Sequence, residues 1–249
     1  MDFEGFGFKY HMEPCYLLAS NNFIGIPHFN DEGEELDNEQ IHRFTNFILS
    51  LDSDDISLSS YLEEGGDLMD AYEYYQYGNG DYNIITIPEM IISCGSVKLV
   101  REMISIDPDY VNIIVDNYSV LAHSIMYGHN EITDLLLLHG ANPNIQGKRG
   151  KTSLYHAINR KVPSIVKKLL DNGADPNMKY ALPQCNYLYT ALINYTWSTL
   201  CDKEIILNSK KIVKMIIKCG GECQDNLYND KIRQSYNDIM SEMAESGEY

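Results

Sequence analysis

The chain has 249 residues, of which 44% are hydrophobic and 22% charged, a globular composition that excludes a disordered or collagen-like polymer. Its net charge of −17 is uneven: residues 1–85 hold eighteen Asp and Glu against Lys9 and Arg43, whereas the remainder holds eighteen against seventeen Lys and Arg. Phosphate binding needs a basic surface, so this balance argues against nucleic acid as the principal ligand.

Residues 1–36 show no clear period. The first fourteen are acidic and interrupted, without the continuous apolar stretch of a secretory signal, and no later apolar run reaches membrane-spanning length. Six cysteines, Cys15, Cys94, Cys185, Cys201, Cys219 and Cys223, are scattered rather than arranged as a disulfide framework. Cys219 and Cys223 have no His pair beside them to complete a zinc site. These features lead to the expectation of an intracellular protein, cytoplasmic or nuclear, with no membrane contact, no metal and no cofactor.

Asp37–Leu51 places Ile41, Phe44, Phe47, Ile48 and Leu51 at helical spacing and predicts an amphipathic helix. Ile56–Leu62 predicts a second, shorter one. Asp67–Asn83, with Tyr72, Tyr74, Tyr75 and Tyr77 ahead of Gly78-Asn79-Gly80, reads as an acidic, Tyr-rich loop. Residues 1–85 are thus expected to form a partly helical acidic region that can cap the rest of the chain.

From residue 86 a period of 33 takes over. Gly140-Ala141-Asn142-Pro143-Asn144 recurs as Gly173-Ala174-Asp175-Pro176-Asn177, Leu121 as Leu154, Ile132 as Ile165, and Leu136 as Leu169. A period of this length marks a solenoid of stacked units. Leu154 and Ala157 share one helical face, and Ile165 and Leu169 form the stripe of a following helix. Gly140 and Gly173 suit the left-handed position that ends such a helix, and Gly150 and its counterpart Asn117 suit a hairpin turn. Ser119 and Thr152 are candidate helix caps.

At Thr152-Ser153-Leu154-Tyr155-His156-Ala157, Ile165 to Leu170 and Gly173 to Asn177 the chain resembles the ankyrin repeats; Gly128-His129, Leu135 to Leu138 and Gly140 to Asn144 repeat the likeness. The resemblance implies a mostly α fold: a solenoid of about four helix-turn-helix repeats with β-hairpin loops, spanning 86–112, 113–145, 146–178 and 179–224. In the fourth, Thr190-Ala191-Leu192 is expected to open the first helix, with extra loop residues around 182–188 and 199–209. Residues 225–249, with Ile232, Tyr236, Ile239, Met240 and Met243 at helical spacing, predict a capping helix and acidic tail. Few, divergent repeats rich in Asn and Tyr are similar to those of viral and intracellular-pathogen ankyrin proteins.

No phosphate loop, dinucleotide fingerprint or zinc-protease signature is present. His129 and His139 fill ordinary repeat positions, and His156 is expected to pack within the stack. The resemblance implies a non-catalytic module that binds a protein partner through hairpin tips and the exposed face of each first helix. By register those positions are Asp116, Tyr118, Met126 and Tyr127, then Lys148, Arg149, Lys151, Asn159 and Arg160, then Tyr189 and Trp197. Tyr, Trp and Arg dominate binding hot spots because they bury much area at low entropy cost. The expected partner is an acidic or amphipathic protein segment bound by a monomeric adaptor or inhibitor. Two alternatives stay open: an effector or enzyme whose activity lies in residues 1–85, and a regulatory subunit of a larger complex such as a ubiquitin-ligase adaptor.

Overall fold

A computed structural model describes residues 57–68, 86–180, 186–198, 201–222 and 229–248, together with Phe47 and the backbone of strands at 71–75 and 82–86. The amphipathic helix expected at Asp37–Leu51 lies outside the described residues except for Phe47, which is helical and buried against Tyr61. Among the described residues there are ten α-helices and two small antiparallel sheets.

Helix α1 (Leu58–Glu63) buries Leu58 and Tyr61 and packs on the first repeat unit. Strands β1 (Ala71–Tyr75) and β2 (Tyr82–Thr86) then pair in register from Ala71↔Thr86 to Tyr75↔Tyr82. This replaces the loop expected at Asp67–Asn83. Tyr-rich and Ile-Ile-Thr runs carry strong β preference, and they outweigh the local acidity.

Four helix pairs come next: α2 (Ile87–Ser93) with α3 (Val97–Ile106), α4 (Val120–Tyr127) with α5 (Asn130–Leu138), α6 (Ser153–Asn159) with α7 (Pro163–Asp171), and α8 (Tyr187–Trp197) with α9 (Lys203–Lys218). The first helices α2, α4, α6 and α8 contact one another in series. The second helices form an outer row. Each carries an apolar stripe at three- and four-residue spacing: Leu99, Val100 and Met103; Ile132, Leu135 and Leu136; Ile165, Val166 and Leu169; Ile212, Val213 and Ile216, all buried. Each such side chain contributes roughly 1.5–3 kcal/mol by leaving water.

The stops are equally regular. Gly140 and Gly173 adopt φ of +83° and +85°, and the next amides, Ala141 and Ala174, donate back to Leu136 and Leu169 carbonyls at 2.9 Å. A left-handed residue followed by this six-residue bond is the Schellman termination. The starts differ from one another. Ser119 accepts from the Ala122 amide at 3.1 Å, as a cap should. Thr152 does not cap its helix; its hydroxyl meets the Tyr187 hydroxyl at 2.7 Å and so links the third unit to the fourth.

The fourth pair departs from the expected register. Helix α8 starts at Tyr187 with Asn186 as its cap, so Asn186-Tyr187-Leu188 aligns with Thr152-Ser153-Leu154. Thr190-Ala191-Leu192 lies a turn inside the helix, and Leu188 is buried within it rather than placed in a loop. Most of 199–209 is helical as well, because α9 begins at Lys203. Lys203-Glu204-Ile205-Ile206-Leu207 are good helix formers, and the inserted residues lengthen both helices instead of bulging out between them.

Helix α10 (Asp230–Glu245) lies against α8 and α9 and buries Ile232, Ile239 and Met243. No described helix is long and apolar enough to cross a membrane.

Candidate protein-binding face

The second and third units each begin with a turn that leads into the first helix. Strands β3 (Ile114–Val115) and β4 (Tyr118–Ser119) pair as Val115↔Tyr118 around the tip Asp116-Asn117, both at positive φ. The next tip closes by Gly147 N donating to the Lys151 carbonyl at 2.8 Å. It is stacked on the previous one, because Lys148 N donates to the Asn117 carbonyl at 2.7 Å. Gln146 Nε2 reaches the Lys179 carbonyl at 3.2 Å, which joins the chain entering the fourth unit. Asp116, Tyr118, Lys148, Arg149 and Lys151 therefore come together as one ridge.

A second group lies at the far ends of the first helices. Arg160 Nη1 donates to the Met126 carbonyl at 2.6 Å, and Asn194 Nδ2 donates to the Ile158 carbonyl at 3.3 Å. These bonds fasten successive helix ends, so Met126, Tyr127, Asn159 and Arg160 form a connected edge. Arg160 is committed to this fastening.

Between ridge and edge runs a feature that register alone did not reveal. Rings of Tyr127, His123, Tyr118, His156, Tyr155, Tyr180 and Tyr187 follow one another with centroid separations of 4.8 to 5.9 Å. Aromatic neighbours at such spacing attract in stacked and edge-to-face geometry. The row crosses three units, and Tyr127 extends it to the first by donating to Glu89 Oε1 at 3.4 Å. His123 is buried; its Nε2–H donates to the Val115 carbonyl at 2.9 Å, and its Nδ1 has no partner among the described residues. The buried atoms His156 Nε2 and Glu89 Oε2 likewise have none among the described residues.

Burial dominates the electrostatics of this row. It pushes the Glu89 carboxyl up to about 7, with the Asp116 charge adding to the effect. It pushes His156 down to about 4, helped by Lys151 and His123. His123 also lies below its ordinary value, again through burial. Both imidazoles are therefore neutral near pH 7.

The two fourth-unit positions lie apart. Tyr189 is half-buried in the first turn of α8 and does not join the ring row. Trp197 is 56% exposed at the opposite end of α8, about 15 Å along the axis from Tyr187. Its ring faces Lys231 of α10, with the ammonium 5.6 Å from the centroid. The extra helical length of α8 carries Trp197 beyond the edge formed by Met126 and Arg160. Glu89, His123, Tyr155, Tyr180 and Lys179 belong to the face but were not singled out from sequence. The signal that could have found them is their place at or beside the start of each helix counted from its cap: His123 and His156 both lie four residues after Ser119 and Thr152.

His129, outside the row, ties two units together. His129 Nε2 meets the Ser93 carbonyl at 2.9 Å, across from the second unit to the first. Among the described residues, no group of three or more His, Cys, Asp and Glu side chains is placed to hold a metal.

Stacked helix pairs, protruding tips and a ring-lined face between them define a helical-repeat solenoid. Residues 90–180 match the family model of ankyrin repeats in three copies. An ankyrin repeat-containing protein of Treponema pallidum (strain Nichols) is 36% identical over 84 residues, which is 34% of this chain and 28% of that protein. An ankyrin repeat protein of Fowlpox virus (strain NVSL) is 36% identical over 119 residues, 48% of this chain and 24% of its own length. Another from the same virus is 35% identical over 81 residues, 32% of this chain and 9% of that protein. The chain thus spans under a third of the length of these relatives. Ankyrin repeats are protein–protein interaction modules and in general carry no catalytic activity.

Proposed function

We propose that the chain captures a partner protein, without chemistry, on the face between its hairpin tips and the far ends of its first helices, and acts as a monomeric adaptor or inhibitor. The observation that carries this reading is the continuous ring row from Tyr127 to Tyr187, flanked by the tip residues Asp116, Tyr118, Lys148, Arg149 and Lys151. The half-buried rings of Tyr118, Tyr127 and Tyr155, held in place by the buried His123, Tyr180 and Tyr187 behind them, offer contact area whose side chains are already ordered, so binding costs little further entropy. Viral relatives favour a host protein as the target. An intracellular site of action accords with Cys201 and Cys219, which form no disulfide among the described residues.

The test compares capture from host-cell lysate by the immobilised full chain and two variants. Met126→Ser with Tyr155→Ser alters the face; Glu131→Ala with Lys167→Ala alters the outer row of second helices. Proteins held by wild type and by the outer-row variant should be lost from the face variant at matched thermal stability. Equal loss from both variants, or from neither, would defeat this reading.

A further inference from the structure

Charge along this chain reverses abruptly at its centre. Residues 135–170 contain seven Lys and Arg, namely Lys148, Arg149, Lys151, Arg160, Lys161, Lys167 and Lys168, and no Asp or Glu, within a chain of net charge −17. The structure divides these cations by side. On the outer helices Lys167 pairs with Asp171 and Lys168 with Asp134, and further along Lys210, Lys214 and Lys218 meet Glu242 and Glu248. On the ridge, Lys148, Arg149 and Lys179 are exposed, and among the described residues none of them meets a carboxylate within ion-pair distance. Lys151 spans the two settings, with its ammonium 4.3 Å from the centre of the Tyr155 ring in the row.

These cations are neighbours. The bonds from Gly147 N to the Lys151 carbonyl and from Gln146 Nε2 to the Lys179 carbonyl place all four residues on adjoining backbone. Gly150 also lies directly against Tyr180, with the Tyr180 Cα 3.4 Å from where a Gly150 side chain would begin. Asp116 is the acidic residue of the adjacent tip, and it does not neutralise the strip by an ion pair.

The backbone carries an independent sign. Arg149 holds φ of +60° and is followed by Gly150 at +72°. At the equivalent places in the previous tip stand Asp116 and Asn117. Consecutive left-handed residues at a hairpin tip favour Asn, Asp and Gly, whereas a long side chain is strained there. The tip thus keeps a guanidinium where local conformation prefers a short polar residue. Strained backbone of this kind clusters at ligand clamps and switch regions.

We propose that the tip of the third unit and the adjoining chain at Lys179 form a docking strip for an acidic, extended segment of a partner protein, with its carboxylates on Lys148, Arg149, Lys151 and Lys179 and its apolar side chains on the half-buried Tyr155 ring. This rests on the protein-binding reading above and gives it a ligand chemistry. At physiological ionic strength charges act over about 8 Å, so the segment feels these four cations rather than the net charge of the chain. Arg149 offers the paired N–H groups that match a carboxylate.

The test uses the full chain and a fluorescein-labelled peptide of repeated Glu-Glu-Tyr-Asp, followed by anisotropy. The variant is Lys148→Ser, Arg149→Asn and Lys179→Ser together, all on exposed side chains. Its thermal midpoint should equal or exceed that of wild type, because Asn suits the left-handed position. Its affinity for the peptide should fall about tenfold or more, and the wild-type affinity should weaken steeply with salt. Absence of wild-type binding, equal binding by the variant, or equal binding of a Gln-Gln-Tyr-Asn peptide would overturn the proposal. So would tighter binding of a single-stranded oligonucleotide, or salt-sensitive self-association of wild type that the variant abolishes, which would make a second copy the occupant. The two readings fail separately. Lysate capture that depends on the ring row while the acidic peptide does not bind leaves the protein-binding face and removes the acidic ligand. Peptide binding that needs the cations while capture ignores the ring row does the opposite.

Discussion

Glu89 shows how one buried carboxyl couples this face to pH. Its Oε1 accepts from Tyr127, its Oε2 has no partner among the described residues, and its pKa rises from an ordinary 4.5 to about 7 through burial and then Asp116. The unfolded chain releases this proton near pH 4.5, but the fold holds it until about 7. Stability from this group is therefore complete below the lower value, falls as pH rises through the window and is fully lost above it. Glu89→Gln keeps an acceptor for Tyr127 and removes the charge. It should stabilise the protein by about 2 kcal/mol at about pH 8 and change little near pH 4.5, as read from urea unfolding at both values. A gain that is the same at both would show that the charge is not the cause. His156 works the other way: its pKa is pushed down to about 4, so its contribution is present above 6.5 and declines as pH falls toward the lower value. None of this was legible in the sequence, where Glu89 reads only as the acid three residues after Thr86 at a helix start. Burial of its carboxyl depends on Tyr127, 38 residues away. Thr152 is a similar case, since a hydroxyl at a helix start suggests a cap until Tyr187 arrives from the next unit to share it.

Elements are easier to read because their signals repeat. The second helices of the two central units were predictable from Ile132, Leu136, Ile165 and Leu169 together with the glycines that stop them, and all lie where a period of 33 puts them. The signal weakens where the period breaks. In the fourth unit Gly220 and Ile216 fix the end of α9, but the period no longer says where it begins; the composition before Ser209 favours helix, and helix forms. The joints between units carry less of a signal. Asn144 Nδ2 donates to the Gly173 carbonyl at 2.8 Å while its Oδ1 accepts from Asp175 N at 2.8 Å. Asn177 repeats the latch on Gly220 and Glu222. Both bonds satisfy backbone groups at the end of the next unit's second helix, which a chain of identical units needs at every joint. Asn144→Ala should cost about 1–2 kcal/mol and raise the exchange rate of the Asp175 amide. Asn144→Asp keeps the acceptor and loses the donor, so that amide should remain protected while stability still falls. If Asn144→Ala leaves both quantities unchanged, the latch is not a joint.

The stack as a whole is a sum of units and the contacts between neighbours, so its ends decide whether the sum is favourable. At the C-terminal end α10 covers the fourth pair in two ways. Ile232, Ile239 and Met243 are buried against it, and Lys210, Lys214 and Lys218 form a network with Glu242 and Glu248 across the surface. Magnitudes separate the two. The ion pairs are partly exposed, and each such pair is worth at most about 1 kcal/mol before salt weakens it. Truncating a fully buried Ile leaves a cavity as well as lost contact, at about 2–5 kcal/mol. Ile239→Ala should therefore destabilise strongly, whereas Glu242→Gln should cost under about 1 kcal/mol and less in high salt. The loss should also be local. Because α10 touches α8 and α9 rather than the central units, hydrogen exchange in Ile239→Ala should speed up first in residues 187–218, while α4 and α5 keep their protection. Uniform loss along the stack would mean that the units unfold as one, and the nearest-neighbour view of this molecule would have to be given up. The same view explains why the sequence showed the ends least well: an interior unit is constrained by a copy on each side, but an end meets its cap through contacts that no second copy in the chain repeats.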